Sequence, residues 1–369
     1  RDPQWMSTHL PAIFGRLAEL RAGICHYKVC STFDSSPAFG SIGRALEIGQ
    51  DVFRTSWVPV VVAAPHLGRH VLFGNLFAAG GGAIHRIDRH PTMRHHPVTP
   101  MDEADLRMHL ARQTARKIAL LDILALSGED AEARLDGVLA DDPRIVLFDG
   151  LDDRTLRASG RLLWTRRPAP CSFAVGSSGL IHALVRQWRE CGEIPPAYSA
   201  EKPKPVDRLV VISGSCSPVT GQQIRWAIAH GFANIRLDAA ARDYSAALDA
   251  ALAALSSGQS VVLYTALGAG DRNAEEGGEK LGRTLGVLLR EVLIRSGVRR
   301  ALVAGGDTAS HALRELGIES LLFAGPMTPG APLCRCNALG NVLDGLELVL
   351  KGGQVGPENF FEMVRKNDG

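Results

Sequence analysis

Residues 58 to 65 read VPVVVAAP, a largely β-branched apolar run with no polar break. A strand with one wet face alternates apolar and polar side chains, so an unbroken run predicts a strand buried on both faces. Such strands belong to parallel sheets with helices on either side. The neighbouring sequence fits that architecture. SIGRALEIGQDVF (41–53) offers Ile42, Ala45, Leu46 and Ile48 to one helical face, and GICHYKVCST, IALLDILAL, RIVLFDG and SFAVGSSGL read as strands or strand edges.

The opening RDPQWMSTHLPAIFGRLAEL predicts a helix capped at Ser7 or Thr8, with Leu10, Ile13, Phe14, Leu17 and Leu20 at helical spacing. The chain starts at Arg1, already within helical sequence, and reads as a domain entered partway through. Gly68 to about Pro100 reads as irregular, ahead of a capped helix in TPMDEADLRMHLARQT.

At 369 residues two domains are the default. Composition changes at CGEIPPAYSAEKPKPVDR, where closely spaced prolines favour an extended connection. The predicted organisation is a domain over 1–198, a linker over 199–206 and a second domain over 207–369. Beyond the linker, RLVVISGS, ANIRLDA, SVVLYTALG and RALVAGG alternate with helical segments. The fold class is therefore α/β: two α/β domains with largely parallel sheets and an active-site cleft between them.

A formal charge of +2 creates no field for nucleic acid or a membrane surface, so neither is an expected partner. Seven cysteines, an odd number in a long chain, do not suggest a disulfide framework, and the C-x-C at Cys334 and Cys336 has no zinc-spaced companion pair. With no long apolar span and no secretory leader, a cytoplasmic protein is the expectation.

Three turns in the second half carry the most chemistry. SGSCSPVT (213–220), AGGDTAS (304–310) and KGGQVG (351–356) each sit where an apolar strand ends. Ligands of open parallel sheets bind outside the carboxyl ends of strands, and glycine amides with Ser and Thr hydroxyls suit an anion there. Each turn alone reads equally as a tight turn; three together point to nucleotide phosphates. The chain holds no G-x-x-x-x-G-K-[ST], no G-x-G-x-x-G between strand and helix, and no G-x-S-x-G elbow. Asp307 stands where a carboxylate either holds Mg²⁺ or caps the helix that follows.

Two features of the first half suit a small acid. HYKVCSTFDSSPAFGSIGRAL (26–46) places Lys28 ahead of a hydroxyl cluster and a glycine turn. HRIDRHPTMRHHPVTPM (85–101) gathers Arg86, Arg89, Arg94 and several histidines, and arginine forks match carboxylates.

Taken in order, HYKVCSTFDSSPAFGSIGRA, DRHPTM, HPVTPMDEADLRMHL, VVISGSCSPVT, AGGDTASHA and LELVLKGGQVG make the chain resemble the four-carbon acid sugar kinases over nearly its whole length. The resemblance implies an N-terminal sugar-acid domain, a C-terminal nucleotide domain, and ATP with Mg²⁺ as cofactors. The reaction implied is phosphorylation of a hydroxyl of an acid of the threonate, erythronate or 3-oxo-tetronate class. Carried over residue by residue, Ser213, Ser215 and Ser217 match the first ATP-contacting turn. Gly305, Gly306, Asp307 and Thr308 match the phosphate loop, with Asp307 as the catalytic Mg²⁺ or phosphate residue. Gly352, Gly353 and Gly356 match a later nucleotide contact. Lys28, Ser31 and Thr32 match the sugar-acid motif; Ser35, Ser36 and Arg89 are the further substrate residues expected. A protein metal-ligand set is left open, and a homodimer is one assembly open to the chain.

The family's N-terminal DD-x-TG motif, tied to substrate and proton transfer, has no counterpart here. It falls in an opening segment that the chain lacks, or part of the active site is lost. In the second case the alternative is a non-catalytic sugar-acid or nucleotide-binding protein.

Overall fold

A computed structural model describes residues 1–96, 98–167, 171–196, 203–241, 243–268 and 279–367, Asp307 through its backbone alone. The chain divides into two compact units, Arg1–Ala197 and Tyr198–Gly369. Both are α/β with parallel pairing predominant, as the unbroken apolar runs predict.

The first unit opens with helix α1 (Pro3–Glu19), capped by Asp2, which accepts the Trp5 N–H at 2.7 Å. The cap is therefore not Ser7 or Thr8. Proline at the first helical position starts the helix earlier, and both hydroxyls donate back to carbonyls at Pro3 and Gln4. Met6, Leu10 and Phe14 are buried, while Ile13, Leu17 and Leu20 face outward. Strand β1 (Ile24–Lys28), helix α2 (Ile42–Phe53) and strand β2 (Val58–Val61) follow. Val58 and Val60 pack with Phe14 and Leu46 on one face; Val61 packs with Leu156 and Leu180 on the other. Both faces of β2 are thus core.

The stretch from Gly68 to Pro100, expected to be irregular, contains a three-stranded antiparallel sheet: β3 (Arg69–Leu72), β4 (Asn75–Gly80) and β5 (Ala83–Arg86). Each hairpin turns through two residues of positive φ, 49° and 81° at Phe73 and Gly74, 60° and 82° at Gly81 and Gly82. That geometry matches the twist of paired strands. Helix α3 (Leu106–Ala111), capped by Asp105, is shorter than the predicted helix. IALLDILAL splits: β6 (Ile118–Leu121) ends at Asp122, whose carboxylate caps α4 (Ile123–Ser127). Helix α5 (Ala131–Ala140), β7 (Ile145–Phe148), α6 (Asp153–Thr165), β8 (Ser172–Gly176) and α7 (Ser178–Glu190) complete the unit. The main sheet runs β1-β8-β2-β7-β6, every pairing parallel. Its register lines up Lys28, Gly176, Val61, Phe148 and Leu121 as one carboxyl-end row.

In the second unit, β9 (Val210–Ser213), α8 (Pro218–Ala229), β10 (Ala233–Arg236), α9 (Ser245–Ser256), β11 (Val261–Tyr264), α10 (Glu279–Ser296), β12 (Arg300–Ala304) and α11 (Gly306–Glu315) alternate. A hairpin of β13 (Ser320–Thr328) and β14 (Ala331–Asn337) precedes β15 (Glu347–Lys351) and α12 (Phe360–Lys366). The sheet order is β10-β11-β9-β12-β15-β14-β13, parallel as far as β15 and antiparallel at β14 and β13. Arg236, Tyr264, Ser213, Ala304 and Lys351 form its carboxyl-end row. Of the linker expected over 199–206, residues 199–202 lie outside the described residues. Lys204 and Val206 are tied to the second unit, through Arg300 (2.8 Å) and the Arg365 carbonyl (2.9 Å).

Candidate functional site

The central strands β9, β12 and β15 of the second unit are neighbours, so the loops that leave them emerge side by side. Those segments are 214–217, Gly305 running into the first turn of α11 (306–308), and 352–356, and they lock together. Gly214 donates its N–H to the Ala304 carbonyl at 3.3 Å, and Gly305 donates to the Lys351 carbonyl at 3.0 Å. Gly305 adopts φ +113°, a conformation open to glycine. Gly353 approaches so closely that an added Cβ would stand 2.8 Å from both Ser215 Oγ and Ser217 Cβ. Thr308 Oγ1 lies 2.4 Å from the corresponding point on Gly214. Helices α8 and α11 begin directly after Ser217 and Gly305, turning their N-termini to the same edge.

Helix α8 fixes the third loop from below. Thr220 donates to the Gly353 carbonyl at 2.8 Å, and buried Gln223 donates to the carbonyls of Val355, Gly356 and Pro357 at 2.9–3.0 Å. Ser213 is fully buried and Ser215 nearly so, with backbone N–H groups of Ser215 and Ser217 turned onto the preceding hydroxyls. Ser217 Oγ is different. Among the described residues it is buried with no hydrogen-bond partner, an orphan that an added acceptor or donor at this edge would satisfy. Thr308 is 6% exposed and Gly306 open to solvent, while the Asp307 side chain lies outside the described residues. Lys351, the residue before the glycine pair, is 1% exposed, and burial pushes its ammonium down to about 8.

In the first unit, Lys28 is exposed as the last residue of β1, and Val29 beyond it donates its N–H to the Gly176 carbonyl at 2.8 Å. Thr32 donates to the Asp34 carboxylate, which also accepts the Thr99 hydroxyl at 3.3 Å. Thr99 in turn sits 3.0 Å from His96 Nδ1. The hydroxyl-rich and histidine-rich segments are thereby brought together. Ser31 is half-buried beside them. Ser35 points inward instead, 2% exposed, accepting from Gln113 Nε2 and lying 2.9 Å from His109 Nε2. Ser36 closes a tight turn with Phe39. Arg89 and Arg94 are exposed; Arg86 is engaged by Asp88 through two bonds of 2.6 and 2.7 Å. His90 is also occupied, its Nδ1 accepting the N–H groups of Thr92 and Met93.

Comparison with known proteins assigns each unit. Residues 1–184 match the model of a sugar-binding N-terminal domain, and residues 210–361 that of a nucleotide-binding C-terminal domain. The 3-oxo-isoapionate kinase of Paraburkholderia graminis is 46% identical, over 99% of this chain and 82% of its own. The chain belongs to the four-carbon acid sugar kinase family. The 3-oxo-tetronate kinase of Cupriavidus necator is 32% identical to this sugar-acid kinase, over 93% of this chain and 79% of its own. A protein of solved structure from Salmonella typhimurium superposes with TM-score 0.75 at 28% identity, covering 95% of this chain and 82% of that one. A Haemophilus influenzae structure at TM-score 0.68 and 22% identity shares the fold, covering 95% and 83%.

Two kinds of buried residue at these loops were passed over in reading the sequence. Thr220 and Gln223 read as ordinary helix residues, yet both are fully buried and hold the third loop. Lys351 read only as the first residue of the KGGQVG turn, with no role of its own. Its signal was position: a lysine closing the apolar run LELVL directly before a glycine pair, where alternation places it on the buried face. Among the described residues, no three His, Cys, Asp or Glu side chains gather to hold a metal ion, and no helix is long and apolar enough to cross a membrane.

Proposed function

We propose that this kinase transfers the terminal phosphoryl group of ATP to a hydroxyl of a 3-oxo sugar acid. The observation that carries the reading is the interlocking of three glycine loops at adjacent parallel strand ends, with Ser217 Oγ buried and unsatisfied among them. Such an edge suits phosphates: amides and hydroxyls converge, and two helix N-termini favour negative charge.

In this reading Ser213, Ser215 and Ser217 line the first nucleotide turn. Gly305, Gly306 and Thr308 form the phosphate loop, and Gly352, Gly353 and Gly356 close it. Asp307 would be the protein contact for Mg²⁺ carried by the nucleotide, and the ion would supply neutralisation of phosphate charge. Lys28, Ser31 and Thr32 receive the acid, and Arg89 is the cation proposed for its carboxylate. The P–O bond to ADP breaks, a P–O bond to the acceptor oxygen forms, and the acceptor hydroxyl's proton is released to water. Because the transition state is loose, alignment and charge neutralisation supply most of the rate.

Both relatives are named for a 3-oxo acid, and their turnover supports catalysis over ligand binding without chemistry. The test is acid-dependent ADP release over a panel of sugar acids with and without the 3-oxo group. Release stimulated by 3-oxo acids supports the reading; ADP release indifferent to every acid overturns it.

A further inference from the structure

Two cations of the second unit are almost fully buried, Arg300 and Lys351, each 1% exposed at opposite ends of neighbouring strands. Arg300 has its counter-charge, with Glu347 at 2.6 Å and two backbone carbonyls completing its shell. Lys351 has none among the described residues. Its Nζ donates to Thr220 Oγ1 at 2.8 Å, and no ion pair reaches it.

A buried charge without a partner is costly, and one kept at a site marks a task that uses the charge. Lys351 ties the second and third loops to helix α8. Its own carbonyl accepts the Gly305 N–H at 3.0 Å, its ammonium holds Thr220, and Thr220 holds the Gly353 carbonyl at 2.8 Å. Several ionisable groups on surrounding elements are engaged elsewhere. On α8, Arg225 donates to the Leu267 carbonyl; on α12, Glu362 is paired with Arg365 and Lys366; on β12, Arg300 is paired with Glu347. On α11, Glu315 lies 3.6 Å from Arg283; Asp307 is described only through its backbone.

We propose that Lys351 is a positioning residue for the nucleotide, a fixed buried cation beneath the loops whose missing counter-charge is the phosphate chain. The inference rests on the loops being the nucleotide site. It adds that the ammonium acts through the interior, by charge and by its hold on Thr220, rather than by grasping substrate at the surface. An interior of low dielectric lets that charge reach the phosphates with little screening.

Burial lowers the lysine to about 8 from an ordinary 10.5, so above pH 8 the free protein holds it neutral. A bound phosphate chain favours the ammonium, so ATP binding takes up a proton in that window and weakens as pH rises through it.

Calorimetric titration of ATP and Mg²⁺ into the full chain, wild type and Lys351→Met, tests this from neutral pH upward past 8. Expected for the variant is an unchanged or raised melting temperature without nucleotide, and ATP affinity lower by about tenfold or more. Its KM for the sugar acid stays at the wild-type value. The wild type shows proton uptake and declining affinity above pH 8, and the variant shows neither. A variant binding ATP within about twofold of wild type, or a wild type without proton uptake, overturns the proposal. Should Lys351→Met fail to fold, wild-type proton uptake decides alone. A wild type that binds no ATP at any pH removes the nucleotide reading as well, whereas ATP binding matched by the variant removes only the role of the lysine.

Discussion

Thr99 donates its hydroxyl hydrogen to Asp34 across 3.3 Å and so ties the loop after β1 to the histidine-rich segment that follows the antiparallel sheet. Asp34 also takes the Thr32 hydroxyl, so one carboxylate orders both walls of the proposed acid site. Thr99→Val keeps the shape and removes the bond, at a cost of about 1 kcal/mol. The expected result is a KM for the sugar acid raised about fivefold, with kcat and the KM for ATP unchanged in steady-state kinetics.

Gly353→Ala tests the interlock of the nucleotide loops. The new Cβ would stand 2.8 Å from Ser215 Oγ and Ser217 Cβ, so both neighbouring loops must shift. Overpacking of that kind costs about 1–3 kcal/mol, equivalent to about a fivefold to 150-fold loss in ATP affinity. Isothermal titration measures it, and the KM for the acid should stay put.

Arg300 stabilises the second unit away from the loops. Its guanidinium joins Glu347 on β15, the Val364 carbonyl on α12 and the Lys204 carbonyl near the start of the unit. Glu347→Ala leaves that guanidinium buried without a counter-charge, which costs about 3–5 kcal/mol. Urea unfolding should show a lower midpoint, with nucleotide affinity retained by the folded protein.

Asp149 sets a pH dependence of stability in the first unit. Its carboxylate accepts N–H groups from Phe73, Gly74 and Ile123 at 2.5–2.9 Å, yet burial still raises it to about 6 from 3.8. Between those values the folded protein keeps a proton that the unfolded chain releases. The contribution is therefore full below 3.8 and is lost as pH rises through about 6. Urea midpoints taken across this window should fall with rising pH from this group, and Asp149→Asn should remove that component. The same variant should cost about 1–3 kcal/mol at neutral pH, because an amide NH₂ then faces backbone donors.

Much of the fold was legible because its strands are buried on both faces: VPVVVAAP, RIVLFDG and RLVVISGS have no other comfortable place in water. The three loops were legible for a related reason, since glycine and hydroxyl residues directly after such runs mark carboxyl ends of parallel strands. The antiparallel sheet over 69–86 was not legible. Its strands are short and mix arginine, histidine and glycine, and only the Gly81–Gly82 pair hints at a hairpin. Ser35 and Ser36 show the limit within the site. A hydroxyl's residue type does not reveal whether it faces ligand or interior, and these two are taken up by His109, Gln113 and Phe39. Lys351 was missed because a lysine's usual place is water, and among the described residues no carboxylate pairs with it.

Phosphorus NMR of the full chain incubated with ATP, Mg²⁺ and a 3-oxo sugar acid addresses the central claim without an intermediary. The account predicts a new phosphomonoester resonance that grows in step with ADP and is lost without the acid. Inorganic phosphate as the sole product, or an ATP spectrum unchanged by any acid of the class, would contradict it.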